Sequence, residues 1–211
     1  VGFGGRGCNT TIAELRNRQT LRWKFMEALE FVLHNDDVNI ATVSSWSDGL
    51  AALTQDSFEL SAGSAGEVSA FAQGILSVAA TVADFSYESA VGVLDSLSAA
   101  SVAHTNGNTS DSAAAGTLAT LAQFSDLVSS QIVSGQERVE YWYKDFQLTS
   151  TKRFLSYNNA LQVSLPKSEL QDAQALEVSS VELTTVGSGG DEVTMSLIAT
   201  PVVAYNASGD S

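Results

Sequence analysis

The feature that most constrains the fold is a change of sequence pattern near residue 136. Before it the chain is rich in Ala, Ser and Leu, and its apolar residues recur at steps of three and four. After it, apolar and polar residues alternate in VEYWYKDFQL (139–148), LQVSLP (161–166), EVSSVELTTV (177–186) and VTMSLIATPVVAY (193–205). A block of helices followed by a block of strands predicts an α+β fold and argues against an alternating βαβ core.

Five helices are predicted in a helical subdomain spanning residues 11–137, after a flexible Gly-rich lead at 1–10. The first, from Thr11 to about Leu33, has a broad apolar face, and its basic residues are Arg16, Arg18, Arg22 and Lys24. The apolar face consists of Leu15, Leu21, Phe25, Leu29 and Val32. The HNDD segment (34–37) ends it and supplies N-cap candidates for the second helix. That helix is predicted from five apolar residues at steps of three and four: Ile40, Val43, Trp46, Leu50 and Leu53.

The other three helices are predicted from similar patterns. Ser64 and Glu67 form a capping-box pattern that would open the third helix. The fourth follows the DFSYES segment (84–89), and the fifth begins near Ser112 with Gly135 as its C′ residue. Because Ala and Ser let helix axes approach closely, we expect a compact bundle with these apolar stripes as its core.

Residues 138–211 form the predicted β-strand subdomain. Asn158–Asn159 is a turn signal, Pro166 ends a strand, and GSGGDE (187–192) reads as a hairpin connection. Four or five antiparallel strands are too few to close a sandwich comfortably. We therefore expect an incomplete β-sandwich whose remaining strands lie further along a longer parent chain.

The charge distribution excludes two classes of partner. The net charge is −14, and residues 25–137 contain no Lys or Arg. Phosphate neutralisation needs basic side chains, so neither nucleic acid nor an anionic lipid surface is an expected partner. The acidity either keeps an Ala-rich surface soluble or attracts a divalent cation or a basic partner. No stretch has the D-x-D-x-D-G pattern that would make calcium binding specific.

Three N-x-Ser/Thr sequons, at Asn9, Asn108 and Asn206, lie in segments predicted as loop or tail and are candidate N-glycosylation sites. The single cysteine, Cys8, either pairs with a cysteine outside this sequence or is a free thiol. No apolar run approaches the roughly 20 residues that span a bilayer, and no signal peptide is visible. If the protein is secreted, this sequence is expected to be a piece of a longer chain that is not membrane-embedded in this segment.

No catalytic motif is present, so an enzyme is not expected, and neither a cofactor nor a metal site is predicted. His34 and His104 each flank a polar loop, 70 positions apart in the sequence. One aromatic cluster remains as a candidate contact site for carbohydrate or protein: Tyr141, Trp142, Tyr143 and Phe146. The alternative interpretation is that this strand fills a sandwich core and covers the helical bundle.

Two segments carry a family resemblance. Residues 75–104, ILSVAATVADFSYESAVGVLDSLSAASVAH, and 119–154, ATLAQFSDLVSSQIVSGQERVEYWYKDFQLTSTKRF, resemble the extracellular region associated with the receptor-for-egg-jelly module of polycystin-like receptors. In that family the region is a GAIN-like domain, with a helical subdomain A and a β-sandwich subdomain B. The resemblance covers roughly residues 12–205 and rests on the residue pattern of these segments and on the order of helices and strands. The family's self-cleavage motif, His-Leu-Ser/Thr, is absent from this sequence, so the resemblance assigns autoproteolysis to none of its residues.

The resemblance and the sequons together predict an extracellular, non-catalytic structural or adhesion module of a large polycystin-like surface glycoprotein. Its expected location is the cell surface, a ciliary membrane included. Its expected partners are N-linked glycans and other regions of the parent chain or other extracellular subunits. The alternative is a subunit of an extracellular filament or of a ciliary or cell-surface appendage.

Overall fold

The computed structural model describes residues 2–4, 10–105, 111–154, 160–166, 180–184 and 192–200. Its five described α-helices come before the main strands, which confirms the predicted α+β class. The helices are α1 (Ile12–Asn35), α2 (Ile40–Thr54), α3 (Ala62–Ala79), α4 (Val91–Thr105) and α5 (Asp111–Gln131). Single 3-10 turns, Ser57–Glu59 and Tyr87–Ala90, precede α3 and α4. In the lead, β1 (Phe3–Gly4) pairs antiparallel with β2 (Thr10–Thr11).

The helix starts differ from two of the predicted caps. Asn39, in an extended conformation, caps α2 by accepting from the N–H groups of Ala41 and Thr42, so the HNDD segment does not supply that cap. Ser61 caps α3, because its hydroxyl accepts from the Ser64 N–H at 3.0 Å. Ser64 therefore lies inside the first turn, and the predicted capping box from Ser64 to Glu67 is wrong. Both errors moved a cap by only a few residues.

The bundle core forms where α2 packs on α4, α4 on α3, and α3 on α5. Five large side chains of the predicted apolar stripes are 0% exposed in this core: Leu50, Ile75, Leu94, Leu97 and Leu121. Phe124 of α5 is also 0% exposed, although the sequence did not place it on a stripe. Helix α1 lies across α2 and α3 and contributes one fully buried side chain, Met26, which packs with Ala65, Val68 and Ala100. The core is thus built mainly by α2 to α5, with α1 on its outside.

The described strands that follow α5 form two small antiparallel sheets. In the first, β4 (Gln147–Phe154) lies between β3 (Val139–Trp142) and β7 (Glu192–Ala199). In the second, β5 (Ala160–Ser164) pairs with β6 (Ser180–Thr184). Among the described residues β7 pairs with β4, and β6 pairs with β5. Most of the predicted hairpin connection GSGGDE, residues 187–191, lies outside the described residues. Buried Val163 of β5 packs against Val193, Met195 and Leu197 of β7.

The first sheet is joined to the bundle through its central strand. Helix α5 contacts β4 and β7, and buried Phe146 and Leu148 belong to the same hydrophobic cluster as the helices. Gly135 has φ +86°, as the sequence suggested, but it lies four residues beyond α5 and its N–H donates to the Lys152 carbonyl at 3.2 Å. Gly135 therefore turns the chain into the sheet, and its assignment as the C′ residue of α5 is wrong. The turn Asn158–Asn159 lies outside the described residues.

One ionic cluster fixes α1 to the turn before α3. Glu59 accepts hydrogen bonds from Arg18 at 2.8 Å and from both Nε and Nη2 of Arg22, while Arg22 also donates to the Leu53 carbonyl at 2.7 Å. The Glu59 side chain is only 13% exposed. Its hydrogen bonds to Arg18 and then Arg22 lower the pKa of Glu59 below its ordinary value, against the opposing effect of burial.

We expect Glu59→Gln to lower the free energy of unfolding by roughly 1–2 kcal/mol at pH 7, between the values for an exposed and a buried ion pair. Because the pKa of Glu59 is depressed in the folded state, its contribution is present above pH 4.5 and is lost as the pH falls through the folded value. Urea unfolding at pH 7 and at pH 3 measures both. Glu14→Gln is the matched control, because Glu14 is 53% exposed and its one ion pair within the described ranges is with Arg18. A loss at pH 3 as large as at pH 7 would contradict the ionic origin.

Candidate functional site

The predicted aromatic cluster is divided between β3, which contains Tyr141 and Trp142, and the turn before β4, which contains Tyr143 and Phe146. The Tyr143 N–H donates to the Phe146 carbonyl at 2.9 Å and closes the β3–β4 hairpin. The ring of Tyr141 meets Phe124 of α5 edge-on, with centroids 5.4 Å apart, and the ring of Tyr143 lies 4.7 Å from that of Phe146. Phe146 is 1% exposed, whereas Trp142 is 51% exposed. The four side chains therefore form no common surface.

The polar groups of this hairpin point to anchoring. The Tyr143 hydroxyl donates to Asp95 of α4 at 2.7 Å, and Ser98 of α4 donates to Asp145 at 3.4 Å. Burial, followed by the bond to Asp95, raises the pKa of Tyr143, and burial raises the pKa of Tyr141 to about 12. Burial also raises the pKa of Asp145. Both phenols stay protonated at neutral pH: Tyr143 acts here as a hydrogen-bond donor, and the rings of both residues are packing groups.

A surface that the sequence did not single out lies on α1. Leu21, Phe25 and Phe31 are 57%, 53% and 68% exposed, and they recur at steps of four and six along the helix. We call these three residues the outer face of α1. Val38, after α1, and Ile40, the first residue of α2, are also exposed. The predicted placement of Ile40 on the core stripe of the second helix is therefore wrong. On a regular helix the steps of four and six spread the three side chains of the outer face over an arc of about 120°. Large apolar side chains exposed on one side of a helix are typical of interaction surfaces.

The sequence contained a signal for this surface. A helix at the edge of a bundle needs one apolar stripe, but the apolar residues of α1 extend around most of its circumference. Leu29, Val32 and Leu33 pack against the core, whereas Leu21 and Phe25 of the predicted broad face do not. The pattern therefore fits two apolar faces better than one broad face. One of the two faces has no partner within the described residues.

A groove of about 730 Å³ lies between the C-terminal end of α3 with its following loop and α5. Buried Leu76, Phe85 and Leu127 are among its lining residues. Asp84 and Asp126 are exposed at the same groove, and so are the hydroxyl-bearing Ser77 and Ser130. The groove thus combines apolar walls with carboxylates.

The remaining predicted residues are the three sequon asparagines, Cys8 and the two histidines. Asn9, Asn108, Asn206 and Cys8 lie outside the described residues, as does the side chain of His104. His34 is exposed, and its Nδ1 lies 2.8 Å from the Glu30 carbonyl oxygen one turn earlier in α1. Within the described ranges, no three His, Cys, Asp or Glu side chains are grouped so that they could hold a metal ion.

Two findings complete the description of the chain. Of the helices described, none combines the length and the apolar character that crossing a membrane requires. No protein-family model matches this sequence, and no curated protein or solved structure was found to be similar to it.

Proposed function

We propose that this chain is a non-catalytic structural module of an extracellular glycoprotein, and that it docks through the outer face of α1. The observation that carries the proposal is the exposure of Leu21, Phe25 and Phe31, which are 57%, 53% and 68% exposed. An apolar face of this kind costs free energy in water, and the cost is removed when a partner covers it. The chain has a well-packed core without that face, so the face serves something other than the fold of the described residues.

The nature of the partner is argued from the sequence. The sequons at Asn9, Asn108 and Asn206 and the resemblance to polycystin-like receptors support an extracellular parent chain. The docking partner is then another region of that parent chain or another extracellular subunit at the cell surface. Contacts between parts of one large assembly need apolar anchors such as Phe25 and Phe31, with a polar rim around them. Lys24, on α1 with these anchors and 65% exposed, can contribute to that rim.

Site-specific photo-crosslinking in the intact parent protein tests the proposal. A photoreactive side chain at position 25 or 31 should crosslink to an extracellular region of the parent chain or to another extracellular subunit, identified by peptide mass spectrometry. The same chemistry at Asp48, an exposed position of α2, is the matched control. Crosslinks that join position 25 or 31 to a surface other than α1 on a second copy of this chain would favour the alternative hypothesis, a subunit of an extracellular filament, over a module of a receptor.

Two results would overturn the proposal. Crosslinking at positions 25 and 31 no greater than at position 48 would show that the outer face of α1 is not covered. Peptides from the same digest report the state of the three sequon asparagines. If Asn9, Asn108 and Asn206 were all unmodified in native material, the extracellular location would fail.

A further inference from the structure

The outer face of α1 lies between a basic end and an acidic end of the same helix. Arg16, in the second turn, is exposed and has no ion-pair partner within the described residues. Asp36 and Asp37, directly after the last turn, are exposed and have no ion-pair partner there either. The helix macrodipole has the same sense, positive at the N-terminus and negative at the C-terminus. A partner helix that matches this face therefore carries the opposite order of charges.

A second copy of α1, turned antiparallel, has that opposite order. Residues 25–137 contain no Lys or Arg, so helices α2 to α5 have none to place against the acidic end of α1. Within the helical bundle, a second copy can supply them only from the first half of its own α1. In an antiparallel pair each basic end meets the acidic end of the other copy, whereas a parallel pair brings like charges together. Charge complementarity therefore favours the antiparallel arrangement.

The apolar residues of the face set the register of such a pair. Ala28 is exposed and lies three positions from Phe25 and three from Phe31. At 3.6 residues per turn it is also the angular midpoint of the two rings, about 60° from each. A small residue at this point lets two helices approach closely. With a two-fold axis at Ala28, Phe25 of one copy lies level with Phe31 of the other, and the four rings enclose the two alanines.

The same register brings the unpaired charges together. Asn35, the last residue of α1, then lies level with Leu21 of the other copy, and Asp36 and Asp37 follow it directly. Arg16 is five positions from Leu21, about 7.5 Å along the helix axis. The long side chain of Arg16 can cover that distance and reach the carboxylates. Two such ionic contacts form in each pair, one at either end.

We propose that the outer face of α1 docks onto the outer face of α1 in a second copy of this chain, with the two helices antiparallel about a two-fold axis at Ala28. The inference rests on the proposed docking through this face and names its partner. The exposed phenylalanines of each copy cover those of the other, and Arg16 pairs with Asp36 and Asp37 at both ends. A two-fold contact uses one surface twice and closes after two copies, so it joins two parent molecules and does not extend into a filament.

Sedimentation equilibrium of the full chain tests the proposal. The net charge of −14 makes two copies repel at long range, so the measurement is made at about 0.15 M salt, where the Debye length is about 8 Å. A single pair of helices makes a small interface, and the pair is expected to be weak, with a dissociation constant between about 1 μM and 1 mM. We expect the measured mass to rise with concentration from that of one chain to that of two, and no further.

A variant at the two-fold axis tests the register. Ala28→Glu places two like charges against each other and should raise the dissociation constant at least about tenfold. Ala119→Glu, at an exposed position of α5, makes the same change in net charge away from α1 and should leave the dissociation constant unchanged.

Two charge variants test the antiparallel direction. Arg16→Asp and Asp37→Arg each place like charges together at both ends of the pair, and each alone should weaken self-association about tenfold. An equimolar mixture of the two variants should form pairs again, because every contact of the mixed pair joins one basic and one acidic side chain. The two variants change the net charge in opposite directions, so net charge cannot account for a loss in both.

Three outcomes would overturn the proposal: a chain that stays monomeric over the whole concentration range, equal losses in Ala28→Glu and Ala119→Glu, or a mixture of the charge variants that associates no better than either alone. Unchanged circular dichroism in each variant shows that folding is not the cause. A monomeric chain whose positions 25 and 31 still crosslink to another subunit in the intact parent protein would reject the second copy and leave the proposed docking through α1 standing.

Discussion

Gly92→Ala is expected to lower the free energy of unfolding by about 2–3 kcal/mol, the cost of overpacking a close-packed interior. A Cβ atom at Gly92 would lie 2.6 Å from the backbone oxygen of Ser47 and 2.9 Å from its carbonyl carbon. The Ser47 Oγ would also be only 2.8 Å away, and Ser47 is 0% exposed. Because two of the three obstructing atoms are backbone atoms of α2, moving a side chain cannot relieve the contact. Helices α2 and α4 would have to separate, which would loosen Val43, Leu50 and Leu94 around the contact.

The expected sign is opposite to that of helix propensity. Ala is favoured over Gly in a helix interior by about 0.5–1 kcal/mol, so a variant that only changed propensity would be more stable. Gly66→Ala in α3 is the matched control, because an added Cβ there meets nothing within 4 Å. Thermal and urea unfolding should show a loss for Gly92→Ala and a gain for Gly66→Ala. A gain at both positions would show that α2 and α4 are not in backbone contact at Ser47.

The same comparison shows what the sequence could predict. Apolar residues at helical spacing identified Val43, Trp46 and Leu50 as core, because burial of one helix face is a local property of the pattern. The sequence does not distinguish Gly92 from Gly66, although one is at a helix contact and the other is in open space. That difference depends on which helices pack together and at what distance, and a single-helix pattern carries no information about either.

Strand pairing could not be predicted from the sequence for a similar reason. The predicted strands were found where apolar and polar residues alternate, as in β3 and β7, but the alternation does not say which strands are neighbours. The central strand β4 contains the polar run Thr149, Ser150 and Thr151, all buried, and its pattern marks it poorly as a core strand. The hydroxyl oxygens of Ser150 in β4 and Ser196 in β7 lie 2.8 Å apart and share a hydrogen bond between the two strands.

The outer face of α1 and the groove between α3 and α5 were not predicted, because both depend on which residues the neighbouring helices leave uncovered. Phe25 reads as a core residue until the packing shows that α1 turns it away from α2 and α3. Gln123 reads as an ordinary polar position of α5 until its oxygen is found enclosed and without a donor. The absence of Lys and Arg from residues 25–137 left two interpretations open, an acidic surface that keeps the chain in solution or attraction of a divalent cation or a basic partner, and both stay predictions.

Phe146→Ala is expected to lower the free energy of unfolding by about 3–5 kcal/mol, as for other buried phenylalanines replaced by alanine. Phe146 is 1% exposed, contacts the ring of Tyr143, and belongs to the cluster that also holds Leu94 and Phe124 of the bundle. Its removal leaves a cavity where the hairpin meets the helices. Both the packing of the hairpin and the orientation of the Tyr143 hydroxyl toward Asp95 depend on that contact.

Trp142→Ala, four residues earlier in the same aromatic segment, is the matched control and should cost less than about 1 kcal/mol because the side chain is 51% exposed. Urea unfolding of both variants, followed by tyrosine fluorescence and by far-ultraviolet circular dichroism, separates two interpretations of the aromatic cluster. A large loss for Phe146→Ala with little change for Trp142→Ala means that the segment anchors the sheet to the bundle. Similar small losses in both variants would instead indicate that all four aromatic residues face a partner, and the packing described for Phe146 would be wrong.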